Sequence, residues 1–194
     1  MTANAVERDA QLISAARNGE RSAFDELVAR HKQATYRLVR RYIGDADEAY
    51  DVLQDTFVAA WLALPRFDLR QPFTPWLRAI ALNKCRDYGR RASVRIRMLM
   101  QFARDPTSPG ASADRAVTPE TSHRAERLQW LDEALSRLPA KYKEPLLLTL
   151  VGGLSQREAA RELGLTEKAV EMRIRRAKQL LTTASTPLFH VPEG

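Results

Sequence analysis

The residues with the most obvious chemistry in this sequence are cationic side chains near its C-terminus. Ser155 and Glu158 have the spacing of a capping box that begins a helix, and Gly164 is placed to end that helix. Thr166 is placed to cap a second helix, whose apolar stripe leaves its remaining surface crowded with Lys and Arg. A helix, a glycine-containing turn and a basic second helix are typical of a helix-turn-helix that binds the DNA major groove. The alternative is a helical hairpin whose basic face is simply solvated.

A second set of residues is acidic. The segment from Asp45 to Asp55 has five acidic residues and no basic one. In a helix, Asp47, Asp51 and Asp55 would share one face, where like charges destabilise an isolated helix by a few tenths of a kcal/mol per pair. A row of carboxylates on a basic protein predicts docking to a cationic protein surface, and the alternative is a solvated face. A catalytic or metal-binding role is rejected, because no His or Cys lies close in sequence and an exposed row forms no dry pocket.

A third set is basic and belongs to an amphipathic helix that is predicted from Phe73 onwards. Residues 84–97 contain six basic side chains and a single acid. Asn and Arg are suited to reading base edges as well as gripping phosphates. Aromatic residues of the preceding segment, residues 65–73, and Tyr88 could stack on unpaired bases. The alternative is a solvated helix end. The positions that adjoin on one face of this helix are Asn83, Arg86, Asp87 and Arg90.

Helical periodicity runs through almost the whole sequence, and strand-like alternation is nearly absent. The sequence therefore predicts an all-α protein of two small helical domains joined by a flexible linker, the C-terminal domain being the helix-turn-helix. Residues 103–122 indicate the linker, because they are rich in Pro, Ser, Thr, Ala and Asp with almost no large apolar side chain. Such a tether would let the two domains lie on separated surfaces. The predicted boundaries are 8–100 and 126–183 for the domains, 101–125 for the linker and 184–194 for a tail.

Composition narrows the possible partners. The net charge of +7 favours a polyanion such as nucleic acid, although an anionic membrane surface would also fit. The longest apolar runs are too short to span a bilayer, and the N-terminus lacks the apolar core of a secretory signal. The single cysteine, Cys85, excludes an internal disulfide, and three scattered histidines suggest no metal site. These features predict a cytoplasmic protein without membrane insertion.

Taken together, three stretches resemble the extracytoplasmic-function (group IV) sigma factors of the sigma-70 family, which direct bacterial RNA polymerase. Residues 45–68 resemble the family's polymerase-docking helix, an acid-rich run that leads to Gln54, Asp55 and Phe57. Residues 73–91 resemble its promoter-melting helix, and residues 135–181 resemble the domain that binds the upstream promoter element. The last motif alone would fit many regulators, whereas the three in this order are specific. The resemblance covers nearly the whole chain outside the linker and tail.

The resemblance implies an alternative sigma factor with no catalytic activity, cofactor or metal. It implies core RNA polymerase, promoter DNA and a controlling anti-sigma factor as partners. On polymerase, the clamp helices of the largest subunit would contact Asp45, Asp47, Glu48, Asp51, Gln54 and Asp55, and the flap tip of the other large subunit would contact residues near Leu146–Leu150. The −10 element would contact Asn83, Arg86, Asp87, Arg90 and Arg91, with residues 67–73 holding a flipped base. The −35 element would contact Thr166, Lys168, Glu171, Met172, Arg175 and Arg176.

One departure from the family pattern affects promoter choice. Where many relatives carry the pattern T-V-[RK]-S-R, this chain has A-V-E-M-R at residues 169–173. Glu171 therefore replaces a cation at an expected base-reading position, and its carboxylate can accept from a cytosine amino group. The promoter sequence of other members does not transfer to this chain.

Two rival functions compete with the sigma-factor interpretation. A helix-turn-helix repressor or activator would bind duplex operator by itself, but it leaves the acidic helix unexplained. An enzyme acting on nucleic acid, such as a recombinase, would need a nucleophile within an arginine cluster. Tyr88, beside Arg86, Arg90 and Arg91, is the only candidate.

Overall fold

The protein is described by a computed structural model that covers residues 3–102 and 130–185. Within these ranges the regular elements are helices and no strand occurs, which confirms the all-α prediction. The linker and tail predicted at 101–125 and 184–194 lie almost entirely outside the described residues. The α-helices are α1 (Ala3–Arg17), α2 (Arg21–Ile43), α3 (Ala46–Ala63), α4 (Phe73–Phe102), α5 (described over 130–137), α6 (Ala140–Leu150), α7 (Gln156–Leu163) and α8 (Glu167–Ser185), with a 3-10 turn at Leu64–Arg66.

Helices α1 to α4 form an N-terminal lobe with a core of its own. Leu27 and Leu53 lie at the centre of this core and are almost inaccessible to solvent. Arg17 fixes the chain after α3, because its guanidinium donates to the carbonyl oxygens of Leu64, Pro65 and Phe67. These bonds position the start of α4, which carries the predicted basic surface.

Helices α5 to α8 form a C-terminal lobe that ends in the predicted helix-turn-helix. The capping box is present: Ser155 Oγ accepts from the Glu158 backbone N–H, and the Glu158 carboxylate accepts from the Ser155 N–H at 2.8 Å. Gly164 ends α7 in the left-handed conformation, with φ of 65°. Val170, Ile174 and Ala177 of α8 are buried, so its basic side chains face outwards.

The two lobes pack directly against each other. A second core joins Leu38, Val39 and Cys85 of the N-terminal lobe to Leu146 and Leu147 of α6. We call this the shared core. This contact could not be predicted from the sequence, since the predicted linker would equally allow the lobes to lie apart.

Gly44 lies at the contact between the two lobes, next to α5. It ends α2 with φ of +94°, a backbone conformation that favours glycine. A Cβ at this position would lie 2.8 Å from the Cβ of Ser136 in α5. The glycine therefore serves both the backbone turn and the close approach of the other lobe.

Candidate functional site

The acidic side chains of α3 form an exposed row. Asp45 begins the helix, since its carboxylate accepts from the backbone N–H groups of Asp47 and Glu48 at 2.9 and 3.0 Å. Asp51 and Asp55 continue the row on the exposed face. Among the residues that the structure describes, Asp47, Asp51 and Asp55 form no ion pair. We call Asp45, Asp47, Glu48, Asp51, Gln54 and Asp55 the acidic row.

Apolar side chains extend the acidic row towards the end of α3, which the sequence did not predict. Val58 and Leu62 continue the same helical spacing and are 59% and 73% exposed. Trp61 lies at the edge of the core, 37% exposed, with its ring packed edge-on against Phe24. An exposed apolar stripe beside uncompensated carboxylates is typical of a protein-binding surface.

The predicted basic residues of α4 do come together on one helix face. Asn83 Oδ1 accepts from Arg86 at 2.8 Å, and Arg90 is ion-paired with Asp87. Arg91 is exposed. We call Asn83, Arg86, Asp87, Arg90 and Arg91 the α4 surface.

The α4 surface lies beside the acidic row across a shallow cleft. Asp51 and Asp55 form one wall, while Lys84 and Arg91 form the other. Opposite charges therefore border the cleft without pairing across it. The acidic row and the α4 surface are therefore separate charged surfaces on neighbouring helices.

Arg86 has an unexpected partner in the other lobe. Its Nε and a terminal nitrogen donate to the two carboxylate oxygens of Glu144 in α6, at 2.7 and 2.5 Å. These charge-assisted bonds raise the pKa of Arg86 above its ordinary value. Sequence reasoning missed Glu144, although a Lys-Glu pair before the apolar run Leu146–Leu148 was a signal for a buried ionic contact.

The aromatic residues before α4 are not placed to hold a flipped base. The rings of Phe67 and Phe73 are buried and pack edge-on against each other, with Trp76 beside both. The exposed residues of this segment include Leu69 and Arg70. The aromatic signal in the sequence therefore reflects core packing.

The outward face of α8 carries the third predicted set of residues. Thr166 caps the helix, because its Oγ accepts from the Ala169 N–H at 3.2 Å. Glu171 is ion-paired with Lys168 at 2.9 Å, and this pairing lowers the pKa of the Glu171 carboxyl. We call the predicted residues of this helix face the α8 surface. All of them are exposed: Thr166, Lys168, Glu171, Met172, Arg175 and Arg176.

The leucines expected near a polymerase contact are mostly inaccessible. Leu146, Leu147 and Leu148 are buried, and only Leu150 of this run is strongly exposed. An apolar surface cavity of about 450 Å³ lies elsewhere in the C-terminal lobe. Leu138, Leu180 and Leu181 are among its lining residues.

The structure also bears on metal binding and on membrane insertion. Over the described residues, no three His, Cys, Asp or Glu side chains are grouped so as to hold a metal ion. None of the helices in the same residues is both long enough and apolar enough to cross a membrane.

Two family models match this chain. The model for sigma-70 region 2 matches residues 27–95, and the model for sigma-70 region 4 matches residues 128–181. The first match spans α3 and the whole α4 surface. The second spans the helix-turn-helix.

Whole-chain relatives give the same result. The chain is 39% identical to RNA polymerase sigma factor CnrH of Cupriavidus metallidurans, over 92% of this chain and 95% of that protein. It is 32% identical to the ECF RNA polymerase sigma factor SigM of Mycobacterium tuberculosis, over 89% and 82%.

Solved structures show similar folds. CnrH in complex with the cytosolic domain of CnrY matches with a TM-score of 0.64 at 35% identity, over 93% of this chain and 98% of that chain. The sigma factor RpoE in complex with the anti-sigma factor NepR, from Bartonella quintana, matches with a TM-score of 0.60 at 22% identity, over 82% and 94%. The second likeness concerns the fold alone.

Proposed function

This chain belongs to the extracytoplasmic-function group of the sigma-70 family, and we propose that its three charged helix surfaces divide the tasks of transcription initiation among them. As a sigma factor it binds core RNA polymerase and directs initiation at specific promoters. The domains are residues 8–100 for the region 2 type and 126–183 for the region 4 type. The family matches at 27–95 and 128–181 support these limits.

The acidic row binds the clamp helices of the largest polymerase subunit. The support is electrostatic, since Asp47, Asp51 and Asp55 are exposed and have no cationic partner among the described residues. Carboxylates at this spacing repel one another, and a basic partner removes that repulsion. Val58 and Leu62 supply the apolar area that such an interface needs at its centre. The flap tip of the other large subunit binds the apolar cavity beside Leu138 and Leu181.

The α4 and α8 surfaces bind the two promoter elements. The α4 surface binds the −10 element, where Asn83 and the arginines can contact both phosphates and bases. The α8 surface binds the −35 element in the major groove, as the second helix of a helix-turn-helix does. Within it, the Glu171 carboxylate accepts from a cytosine amino group, and Lys168 holds that carboxylate in place.

An anti-sigma factor controls the protein by covering these surfaces. CnrH has been solved in complex with the cytosolic domain of CnrY, and RpoE, which has a similar fold, in complex with the anti-sigma factor NepR. The protein acts in the cytoplasm, where polymerase and DNA are, and it has no catalytic activity of its own. Tyr88, the only nucleophile that the sequence suggested, packs partly buried against the shared core.

The exposed, unpaired acidic row is the observation that carries this proposal, because a DNA-binding regulator acting alone has no use for it. The test is run-off transcription from fragmented DNA of the source organism, using purified core polymerase with and without this protein. We expect discrete transcripts that require both components, and their start sites identify the promoter.

Two outcomes would contradict the proposal. Transcripts that are identical without the protein would remove its sigma function. Tight, specific binding of duplex DNA by the protein alone, with no effect on core polymerase, would favour the repressor or activator.

A further inference from the structure

One residue that we assign to DNA binding, Arg86, also takes part in the contact between the lobes. Arg86 belongs to the α4 surface, yet both oxygens of Glu144 accept from its guanidinium. The Glu144 side chain is 7% exposed and that of Arg86 38%. Glu144 occupies the Nε edge of this guanidinium and Asn83 accepts from its other terminal nitrogen, so a phosphate can bind the Nε edge only by displacing Glu144.

Glu144 finds its partners only across the lobe contact. Besides Arg86, its carboxylate accepts from the hydroxyl of Tyr42 at 3.3 Å, and both donors belong to the N-terminal lobe. A buried carboxylate without a donor is strongly unfavourable. Within the described residues, the Glu144 carboxylate therefore serves the contact between lobes and has no hydrogen-bond partner in its own lobe.

The neighbouring Lys143 adds a second pair of bonds at the same place. Its ammonium donates to the carbonyl oxygens of Tyr42 at 3.1 Å and Ser136 at 2.6 Å, one in each lobe. It also lies 4.4 Å from the centre of the Tyr42 ring. Through these bonds Lys143 and Glu144, both in α6, hold that helix against the end of α2.

The remaining ion pairs between the lobes also join an arginine of the N-terminal lobe to an acid of the C-terminal lobe. Asp132 of α5 pairs with Arg41 at 2.6 Å and Arg40 at 3.4 Å. Glu162 of α7 lies 3.0 Å from Arg78. In each pair that joins the lobes in the described chain, the cation is on the N-terminal lobe and the acid on the C-terminal lobe. Three carboxylates of the C-terminal lobe thus occupy arginines on a lobe that binds a polyanion.

We propose that the free protein is closed by this contact, with Glu144 occupying Arg86 in place of the −10 element, so that promoter engagement requires the lobes to separate. The proposal rests on the promoter role assigned to the α4 surface. The α8 surface stays exposed in the closed form, which can therefore meet the −35 element first. Neutralising Glu144 shifts the population towards the open form.

Small-angle X-ray scattering of the full chain tests closure without any assumption about function. We expect a compact particle for the unmodified protein and a larger radius of gyration when Asp132→Asn, Glu144→Gln and Glu162→Gln are combined. The matched control is Glu133→Gln, whose partner Arg137 lies in its own lobe. An unmodified protein that is already extended, or a triple variant as compact as the control, would overturn closure while leaving the sigma function untouched.

Binding of single-stranded DNA tests the occupation of Arg86. The probe is a fluorescein-labelled non-template strand carrying the −10 element of a promoter found by run-off transcription. We expect Glu144→Gln to bind it roughly tenfold more tightly than the unmodified protein, and Glu133→Gln to bind it equally. Opening in scattering without any gain in strand affinity would show that Glu144 does not compete with DNA.

Discussion

Arg175 and Arg176 are adjacent exposed arginines of the α8 surface. Both lie on the outward face of α8, while Ile174 between Arg173 and Arg175 is buried. Consecutive residues on a helix point in directions about 100° apart, so two adjacent arginines present a broad cationic surface. In the major groove such a surface reaches both phosphates and guanine edges.

We predict that replacing Arg175 and Arg176 with Ala weakens binding to a −35 duplex by at least tenfold. Each lost contact to a base edge costs about 1–3 kcal/mol, and each lost phosphate contact reduces the salt dependence of binding. Fluorescence anisotropy at several salt concentrations measures both effects. The control is Arg137→Ala, an exposed arginine of the same lobe that is not part of the α8 surface. Unchanged affinity for the duplex would remove α8 as the recognition helix.

Lys143 makes the stability of the protein depend on pH. Burial lowers its pKa to about 8, while the unfolded chain keeps a value of 10.5. Below pH 8 the ammonium is charged in both states, so the cost of burying it is fully present. Between pH 8 and 10.5 the folded form releases the proton first, which raises the free energy of unfolding. Cys85, whose buried thiol has a pKa of about 12, acts in the opposite direction above its ordinary value of 9.0.

We therefore predict that the free energy of unfolding rises by about 1 kcal/mol between pH 8 and 9 relative to that of Lys143→Met. Urea denaturation of both proteins across this interval measures the difference. Tyr42, whose pKa is also raised, and Cys85 are present in both proteins, so most of their contribution cancels in the comparison. A constant difference between the two curves would mean that Lys143 does not titrate in this range.

At the scale of the element, α3 carries its core-packing residues and its exposed carboxylates on opposite faces. Leu53 and Phe57 hold it in the core of the N-terminal lobe, while Asp51 and Asp55 are exposed. Because the two sets share no contact, the charge of one face can be changed without disturbing the packing of the other. Polymerase binding and folding should therefore respond separately to substitution.

We predict that reversing charge at Asp51 and Asp55, by substituting Lys for both, abolishes co-purification with core polymerase. The thermal midpoint should remain within a few degrees, since exposed substitutions change stability by about 0.5 kcal/mol or less. The control reverses two other exposed acids of the same lobe, Glu7→Lys with Asp25→Lys. Retained polymerase binding in the α3 variant, or equal loss in the control, would contradict the docking role.

The sequence predicted helix ends far better than it predicted what the helices contact. The helix ends at Ser155, Gly164 and Thr166 could be predicted because a cap depends on residues within one turn. The acidic row was readable because helical spacing alone places it on one face. Periodicity also identified apolar faces, but it does not say which other face covers them. The ring of Phe67 therefore suggested base stacking, whereas it packs in the core.

At the scale of the whole molecule, the partners that join the lobes are far apart in sequence. Arg86 and Glu144 are 58 residues apart, and Lys143 is 101 residues from Tyr42. No local pattern links such positions, and the linker composition equally suits lobes that lie apart. The closed arrangement is therefore a property of the folded chain that only its three-dimensional structure could supply.

A double-mutant cycle of Gly44 and Ser136 can measure whether the two lobes pack against each other in solution. Gly44→Ala places a side chain at φ of +94° and sets its Cβ 2.8 Å from the Cβ of Ser136. The backbone strain alone costs about 1–3 kcal/mol, and the steric conflict between lobes adds to it. Ser136→Gly removes the conflicting Cβ but leaves the backbone strain.

We predict that Gly44→Ala lowers the free energy of unfolding by about 1 kcal/mol less in the Ser136→Gly background. Urea unfolding of the four proteins of the double-mutant cycle measures this difference. Additive effects, within about 0.3 kcal/mol, would mean that α5 does not lie against the end of α2 in solution, and the lobes would then be independent.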